Sequence, residues 1–256
     1  MSTDTAPEYD IEFFWDPVCP FAWITSRWVD EVAAQTGMTV DWRFISLRLL
    51  NKDKDYATEF PPAYEHGHTA GLRFLRVAAA VRAELGREAM GALVKAYGQS
   101  YWEADHADRH EVHARLSSDA HAREVLAAAG IDERFADALD DTSWDAELDG
   151  ETELALDRTG RDVGTPIITF NRADGRSLSF FGPVISRVPS ADQAVPLWEA
   201  VTTLASFPGF AEMKRSLREV PQLRIAGELT EEPEFEDWQG GHRRGHLASD
   251  QVDADS

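Results

Sequence analysis

The sequence predicts an α/β protein whose sheet is interrupted by a long all-helical insertion. Three observations carry this. An apolar run from Ile11 to Trp15, a helical pattern and an alternating run from Met38 to Ser46 make a βαβ opening. From Asn51 to Asp141 the apolar spacing is helical, with no strand signal. Two short apolar runs, Ile167 to Phe170 and Ser177 to Phe181, then flank a turn at Asn171 to Gly175 and read as a hairpin.

The elements follow in order. Residues 1 to 9 are polar and read as a loose leader. Ile11 to Trp15 is the first strand. The first helix runs from about Pro20 to Thr36, with Phe21, Ile24, Trp28 and Val32 on one face and Gly37 closing it. In the second strand Val40, Trp42 and Phe44 alternate with Asp41 and Arg43, the pattern of a half-buried strand. In the insertion Leu72, Leu75 and Ala79 share one helix face, and Leu93, Val94, Tyr97 and Tyr101 another. Gly130 and Asp132 read as a helix stop and an N-cap. A helix from Trp144 to Gly160, capped by Thr142 or Ser143, leads back to the sheet. Ser190-x-x-Gln193 resembles a capping box before a helix ending near Ala205. The expected organisation is a core of residues 10–50 and 143–225, a helical insertion of 51–142, and an acidic, mobile tail of 226–256.

Composition bounds the function. The chain has 256 residues, 43% of them hydrophobic, with eight Trp, enough for a sizeable core. Forty-six Asp and Glu face 25 Lys and Arg, a formal charge of −21. That balance disfavours nucleic acid and anionic membrane as partners, since phosphate binding needs clustered cations. No apolar run is long enough to span a bilayer. With a single cysteine and no signal-like amino terminus, a cytoplasmic location is expected.

That cysteine, Cys19, is the main candidate for chemistry. It stands between the first strand and the first helix, in Phe14-Trp15-Asp16-Pro17-Val18-Cys19-Pro20-Phe21-Ala22-Trp23. Backbone N–H groups and the dipole at a helix start favour an anion, so the thiolate is expected to form at a lowered pKa and act as a nucleophile. The alternative is a buried structural cysteine; the strand-turn-Cys-Pro-helix context favours the nucleophile. Phe21 and Trp23 flank the thiol. Phe21 is expected to be the exposed one, and Trp23 either lines a cleft or anchors the helix. Asn51, after Leu49-Leu50, is expected at the end of the second strand, either as a thiol contact or as a turn residue. The histidines of His106-x-x-x-His110-x-x-His113 and His66-x-His68 read as helix-surface residues rather than ligands, and no metal site is expected.

Cys19-Pro20-Phe21-Ala22 resembles the active-site Cys-x-x-Cys of the thioredoxin superfamily, with Ala22 in the second cysteine's place. Val163-Gly164-Thr165-Pro166-Ile167-Ile168 resembles its Thr-(cis)Pro entering a central strand. Phe14-Trp15-Asp16-Pro17-x-Cys19-Pro20-x-x-Trp23-Ile24-Thr25-Ser26-Arg27-Trp28, Ser46-Leu47-x-x-Leu50-Asn51, Gly164-Thr165-Pro166 and Phe180-Phe181-Gly182-Pro183-Val184 together resemble the mycothiol-dependent nitroreductase family, an actinobacterial branch of the DsbA-like oxidoreductases. The resemblance covers roughly residues 10 to 225. It implies a thioredoxin-like, DsbA-like fold with an inserted all-helical domain. It implies mycothiol or another low-molecular-weight thiol as cosubstrate, and a small-molecule or disulfide substrate. It gives Thr165 and Pro166 a place beside the cysteine, and Asn51 and Tyr64 a role in binding the thiol; packing of the insertion is the other reading of Tyr64.

Family members with two active-site cysteines read Cys-Pro-Trp-Cys. Without the second, a disulfide cycle within the chain is impossible and a monothiol mechanism is expected. Two alternatives stay open. One is an enzyme like the kappa-class glutathione transferases or the 2-hydroxychromene-2-carboxylate isomerases, which usually carry Ser at this place. The other is a non-catalytic redox-sensing module.

Overall fold

The computed structural model describes residues 8–172, 174–227, 234–239 and 242–247. The first strand, β1 (Ile11–Trp15), leads through the Asp16-Pro17-Val18 turn into α1 (Pro20–Thr36) and returns as β2 (Val40–Phe44). Helix α1 ends where expected. Gly37 adopts φ 76°, the left-handed conformation, and its N–H bonds Ala33 O. Its apolar face buries Ile24, Trp28, Val29 and Val32 completely or nearly so. Strands β1 and β2 pair in parallel, Phe13 against Trp42 and Trp15 against Phe44. A short α2 (Leu47–Leu50) and α3 (Tyr56–Glu59) precede the long α4 (Ala63–Leu85), α5 (Met90–Tyr101), α6 (Arg109–Ala114) and α7 (Asp119–Ala128). A 3₁₀ stretch from Glu133 to Asp140 follows, with the Asp132 carboxylate accepting the Arg134 N–H as its N-cap.

Helix α8 (Asp145–Thr159) differs at its start from the expected cap. Thr142 and Ser143 form a separate 3₁₀ turn capped by Asp141, and α8 begins after Trp144 without a side-chain cap. Its first turn holds Asp145 and Glu147, which compensate the exposed N–H groups electrostatically. Strands β3 (Ile167–Asn171) and β4 (Ser177–Phe181) form the hairpin, and β3 pairs antiparallel with β1. The sheet order is β2-β1-β3-β4. Helix α9 (Ala191–Ser206) packs on α1, with Trp28 Nε1 donating to Ala194 O at 2.9 Å. The capping box at its start does not form. Ser190 Oγ donates to Asp192 and Gln193 side chains instead of accepting a backbone N–H.

Part of the acidic carboxyl end forms strands. A second, antiparallel sheet joins β5 (Leu217–Glu219), β6 (Phe235–Gln239) and β7 (His242–Leu247) in that order. The leader up to residue 7 and the remainder of the tail lie outside the described residues.

One charged hub ties the insertion to the sheet. The buried Glu151 of α8 accepts from the Phe44 N–H at 2.8 Å, Arg43 at 2.9 Å and Arg82 of α4 at 2.9 Å. Burial opposes its ionised form. The Arg82 contacts, the Phe44 N–H and Arg43 outweigh that and hold the carboxyl below its ordinary range.

Candidate active site

Cys19 is the N-cap of α1. Its sulfur accepts the Ala22 N–H at 3.4 Å, and Pro20 occupies the first helical position, where no N–H is needed. The thiol in turn donates toward Thr165 O, 3.4 Å away. Thr165 and Pro166 are joined by a cis peptide bond, and a second cis bond joins Gly182 and Pro183. The turn that carries Cys19 is closed by its own N–H on Asp16 O at 3.2 Å. Sheet pairing brings the two segments together: β1 ends at the turn, and β3 begins beside it immediately after Pro166. Thus Cys19, Ala22 and Thr165 are in contact, with Pro166 next in the chain to Thr165.

The electrostatics depart from expectation. Cys19 is only 5% exposed. Burial pushes its thiol up to about 12; the Ala22 N–H works against that, and the Asp16 charge adds to it. A helix start lowers a thiol pKa when the sulfur is solvated. Here desolvation dominates, and the resting group is the neutral thiol.

The neighbours were partly misplaced. Phe21, expected to be exposed, is 6% exposed, and the Arg218 guanidinium lies 6.0 Å from its ring centroid. Trp23 is the helix anchor. Its ring lies against Gly98 of α5, and its Nε1 donates to Glu103 at 3.0 Å. Asn51 does not end β2, which stops at Phe44. It is the C-cap of α2, buried, with Nδ2 donating to Leu47 O at 2.8 Å. Tyr64 lies at the start of α4 in an aromatic cluster, stacked on Phe60 and edge-on to His68. His68 is buried against the Tyr56 hydroxyl at 2.8 Å, and burial pushes it down to about 4. His113 bonds Tyr101, and His106 Nδ1 donates to Ile225 O. Among the described residues no three histidine, cysteine or acidic side chains gather as a metal site would require. No helix among them is long and apolar enough to cross a membrane.

Asp16 was missed. It is 1% exposed, and its two oxygens accept the Val18 N–H at 2.8 Å and the Leu47 N–H at 2.7 Å. Burial raises its carboxyl to about 7, with both N–H bonds opposing. Asp16 presses against α4 at Gly71, where a Cβ would meet Val18 Cγ2 at 2.9 Å and Asp16 Oδ1 at 3.0 Å. The sequence signal was an acid embedded in an apolar run three positions before the thiol. Beside Pro17 it reads as a turn residue, and nothing local reveals its burial. Trp102, whose Nε1 donates to Pro17 O at 3.1 Å, was also missed, because no local pattern links residues 85 positions apart.

The chain is similar to several known proteins. An uncharacterised protein of Mycobacterium tuberculosis, Rv2286c, is 31% identical over 232 residues, covering 89% of this chain and 91% of its own. The cytosolic disulfide reductase DsbM of Pseudomonas aeruginosa is 18% identical, with 76% of this chain and 98% of that one covered and a TM-score of 0.45. A 2-hydroxychromene-2-carboxylate isomerase is 16% identical, with coverage of 76% and 95% and a TM-score of 0.40. Residues 18–215 match the family described as Rv2466c-like, mycothiol-dependent nitroreductase Rv2466c. With that match spanning most of the chain, including Cys19, the Thr165-Pro166 bond and the whole insertion, the protein belongs to the Rv2466c-like mycothiol-dependent nitroreductase family.

Proposed function

We propose that the protein is a cytoplasmic thiol-dependent oxidoreductase that works through Cys19 alone, with mycothiol or another low-molecular-weight thiol as cosubstrate. One observation carries this reading. The chain's only cysteine caps α1 next to the Thr165-Pro166 bond, and Ala22 stands where a second thiol would close a disulfide. The family match supports a small thiol as the partner.

The chemistry balances without a second protein thiol. The Cys19 thiolate attacks a small disulfide, forming one S–S bond and breaking another, and one thiolate leaves and takes up a proton. A second small thiol then attacks the mixed disulfide, releasing Cys19 and forming a new small disulfide. The Ala22 N–H stabilises the charge on Cys19 as it develops and as it leaves. Thr165 offers its backbone to the extended ligand. Asn51 and Tyr64, held at α2 and α4, shape the ligand's surroundings.

Intact mass measurement after incubation with mycothiol disulfide tests the reading. Wild type should gain one mycothiol, and Cys19→Ser should gain none. Absence of the adduct in wild type sinks the proposal.

A second reading is favoured by one observation. A neutral Cys19 thiol that donates to Thr165 O behaves like a serine hydroxyl. In a transferase or isomerase such a group would hold the thiolate of a bound cosubstrate by hydrogen bonding. That enzyme would turn over a thiol adduct with no covalent bond to Cys19.

A further inference from the structure

We infer that the segment from Leu217 to Ala226 is a strap that closes over the active-site turn and selects, by size, which molecules reach Cys19. The inference rests on Cys19 being the reactive group proposed above, and it concerns a part of the chain beyond the family match, which stops at residue 215.

The strap spans two walls. On one side Glu219 pairs with Arg187 and Ser186, and the Gln222 N–H donates to Ser186 O at 2.7 Å. This wall also carries Pro183, whose carbonyl accepts the Thr25 hydroxyl of α1 at 2.9 Å. On the other side the Ile225 N–H donates to Trp102 O at 3.2 Å, Ile225 O accepts from His106 at 3.0 Å, and Arg224 pairs with Asp105 at 2.5 Å. That wall holds the Pro17 carbonyl through Trp102. Between the walls Arg218 covers Phe21, and Leu223 and Ile225 are buried.

The anchors suit a segment that opens. The Arg224–Asp105 pair is exposed and contributes little, whereas the Arg187–Glu219 pair, with Glu219 mostly buried, is the firmer anchor. Leu217–Glu219 is fixed to β6 by strand pairing and serves as the hinge, while from Pro221 to Ala226 few backbone bonds to other segments and two apolar side chains hold the strap. Segments with such sparse anchoring open at a small fraction of the global unfolding free energy. A partial opening admits a small thiol or disulfide. A polypeptide disulfide needs an open cleft beside Thr165 and is excluded.

The test is the alkylation rate of Cys19 with iodoacetamide and with a polyethylene glycol maleimide, in wild type and in the double variant Glu219→Gln/Arg224→Ala. Loosening the strap should raise the rate with the bulky reagent about tenfold and that with iodoacetamide by roughly two- to threefold. Unchanged rates, or equal gains for both reagents, with the native circular dichroism retained, overturn the strap. Should the double variant not fold, hydrogen exchange in wild type decides. Labelling Cys19 with the bulky reagent should speed exchange at the Gln222 and Ile225 amides about tenfold; unchanged exchange overturns the inference. Both readouts report access alone. A missing mycothiol adduct alongside size-selective labelling would sink the monothiol function and leave the strap intact.

Discussion

The thiol of Cys19 points at the carbonyl oxygen of Thr165, 3.4 Å away and 146 positions along the chain. This contact joins the turn before α1 to the bond before β3, and it is made by a protonated sulfur. Reactivity at the site is therefore tied to removing that proton from a buried place.

The first prediction follows from that proton. Burial raises the Cys19 thiol to about 12, so the pH profile of its reaction with iodoacetamide should have a midpoint well above that of a free thiol, about 8.5. The sign for stability is fixed as well. Between about pH 8.5 and 12 the unfolded chain releases this proton while the folded chain keeps it, so Cys19 should make wild type lose stability with rising pH relative to Cys19→Ser. A reaction midpoint at or below the free value would show that the closed, desolvated thiol is not the reacting state.

Asp16 gives a separate pH window. Its carboxyl is raised from 3.8 to about 7 by burial. Below about pH 4 it is protonated in both folded and unfolded chains. As pH rises toward 7 the unfolded chain ionises first, so stability should fall across that window. In Asp16→Asn that fall should be absent. Urea titrations of both proteins from pH 4 to pH 8 measure it, and parallel curves would refute the assignment.

The fold was legible where the pattern was local. The strand-helix-strand opening, the Gly37 stop and the hairpin after Pro166 follow from residue spacing and turn chemistry. The Cys19–Thr165 neighbourhood was legible too, because two short motifs marked both ends of it. Burial around the thiol was not. Phe21 is covered by Arg218 and the turn is held by Trp102, and both arrive from distant segments that no periodicity connects to the turn. The lowered thiol pKa was wrong for the same reason: the helix start is local, but desolvation depends on what packs over it. The β6–β7 pairing was hidden because neither strand shows apolar alternation: β6 reads Phe-Glu-Asp-Trp-Gln and β7 His-Arg-Arg-Gly-His-Leu.

Gly98 is predicted to be intolerant of any side chain. A Cβ there would sit 2.1 Å from Trp23 Cε3 and Cζ3, so Gly98→Ala must displace the indole from α5. Overpacking of this severity should cost about 3 kcal/mol in denaturant unfolding and shift the tryptophan emission. A loss below about 0.5 kcal/mol would mean that the ring moves freely.

Glu151 should be the most costly charge to remove. Glu151→Ala strips Arg43, Arg82 and the Phe44 N–H of a shared buried acceptor. The expected cost is about 3–5 kcal/mol, measured by equilibrium unfolding. A near-neutral effect would show that water replaces the carboxylate there.

Restoring a thiol at position 22 tests the chemistry itself. Residues 19 and 22 are one helical turn apart, and the residue 22 N–H already meets the sulfur. After one reaction with mycothiol disulfide, Ala22→Cys should expel the small thiol and lose two hydrogens by intact mass, at a rate independent of added thiol. Wild type should keep its adduct until thiol is supplied, with a release rate proportional to thiol concentration.

Gly71 brings the inserted helices against the turn that carries Cys19. Its bare backbone lets α4 lie against Val18 and Asp16, the residues that shape the thiol's own turn. The insertion is thus no detachable ornament on the sheet. A methyl group added at that single point would be felt as a shove against the loop presenting the sulfur. Transplanting the helical module into a relative would carry the active-site loop with it, so the two parts are constrained to vary as a pair.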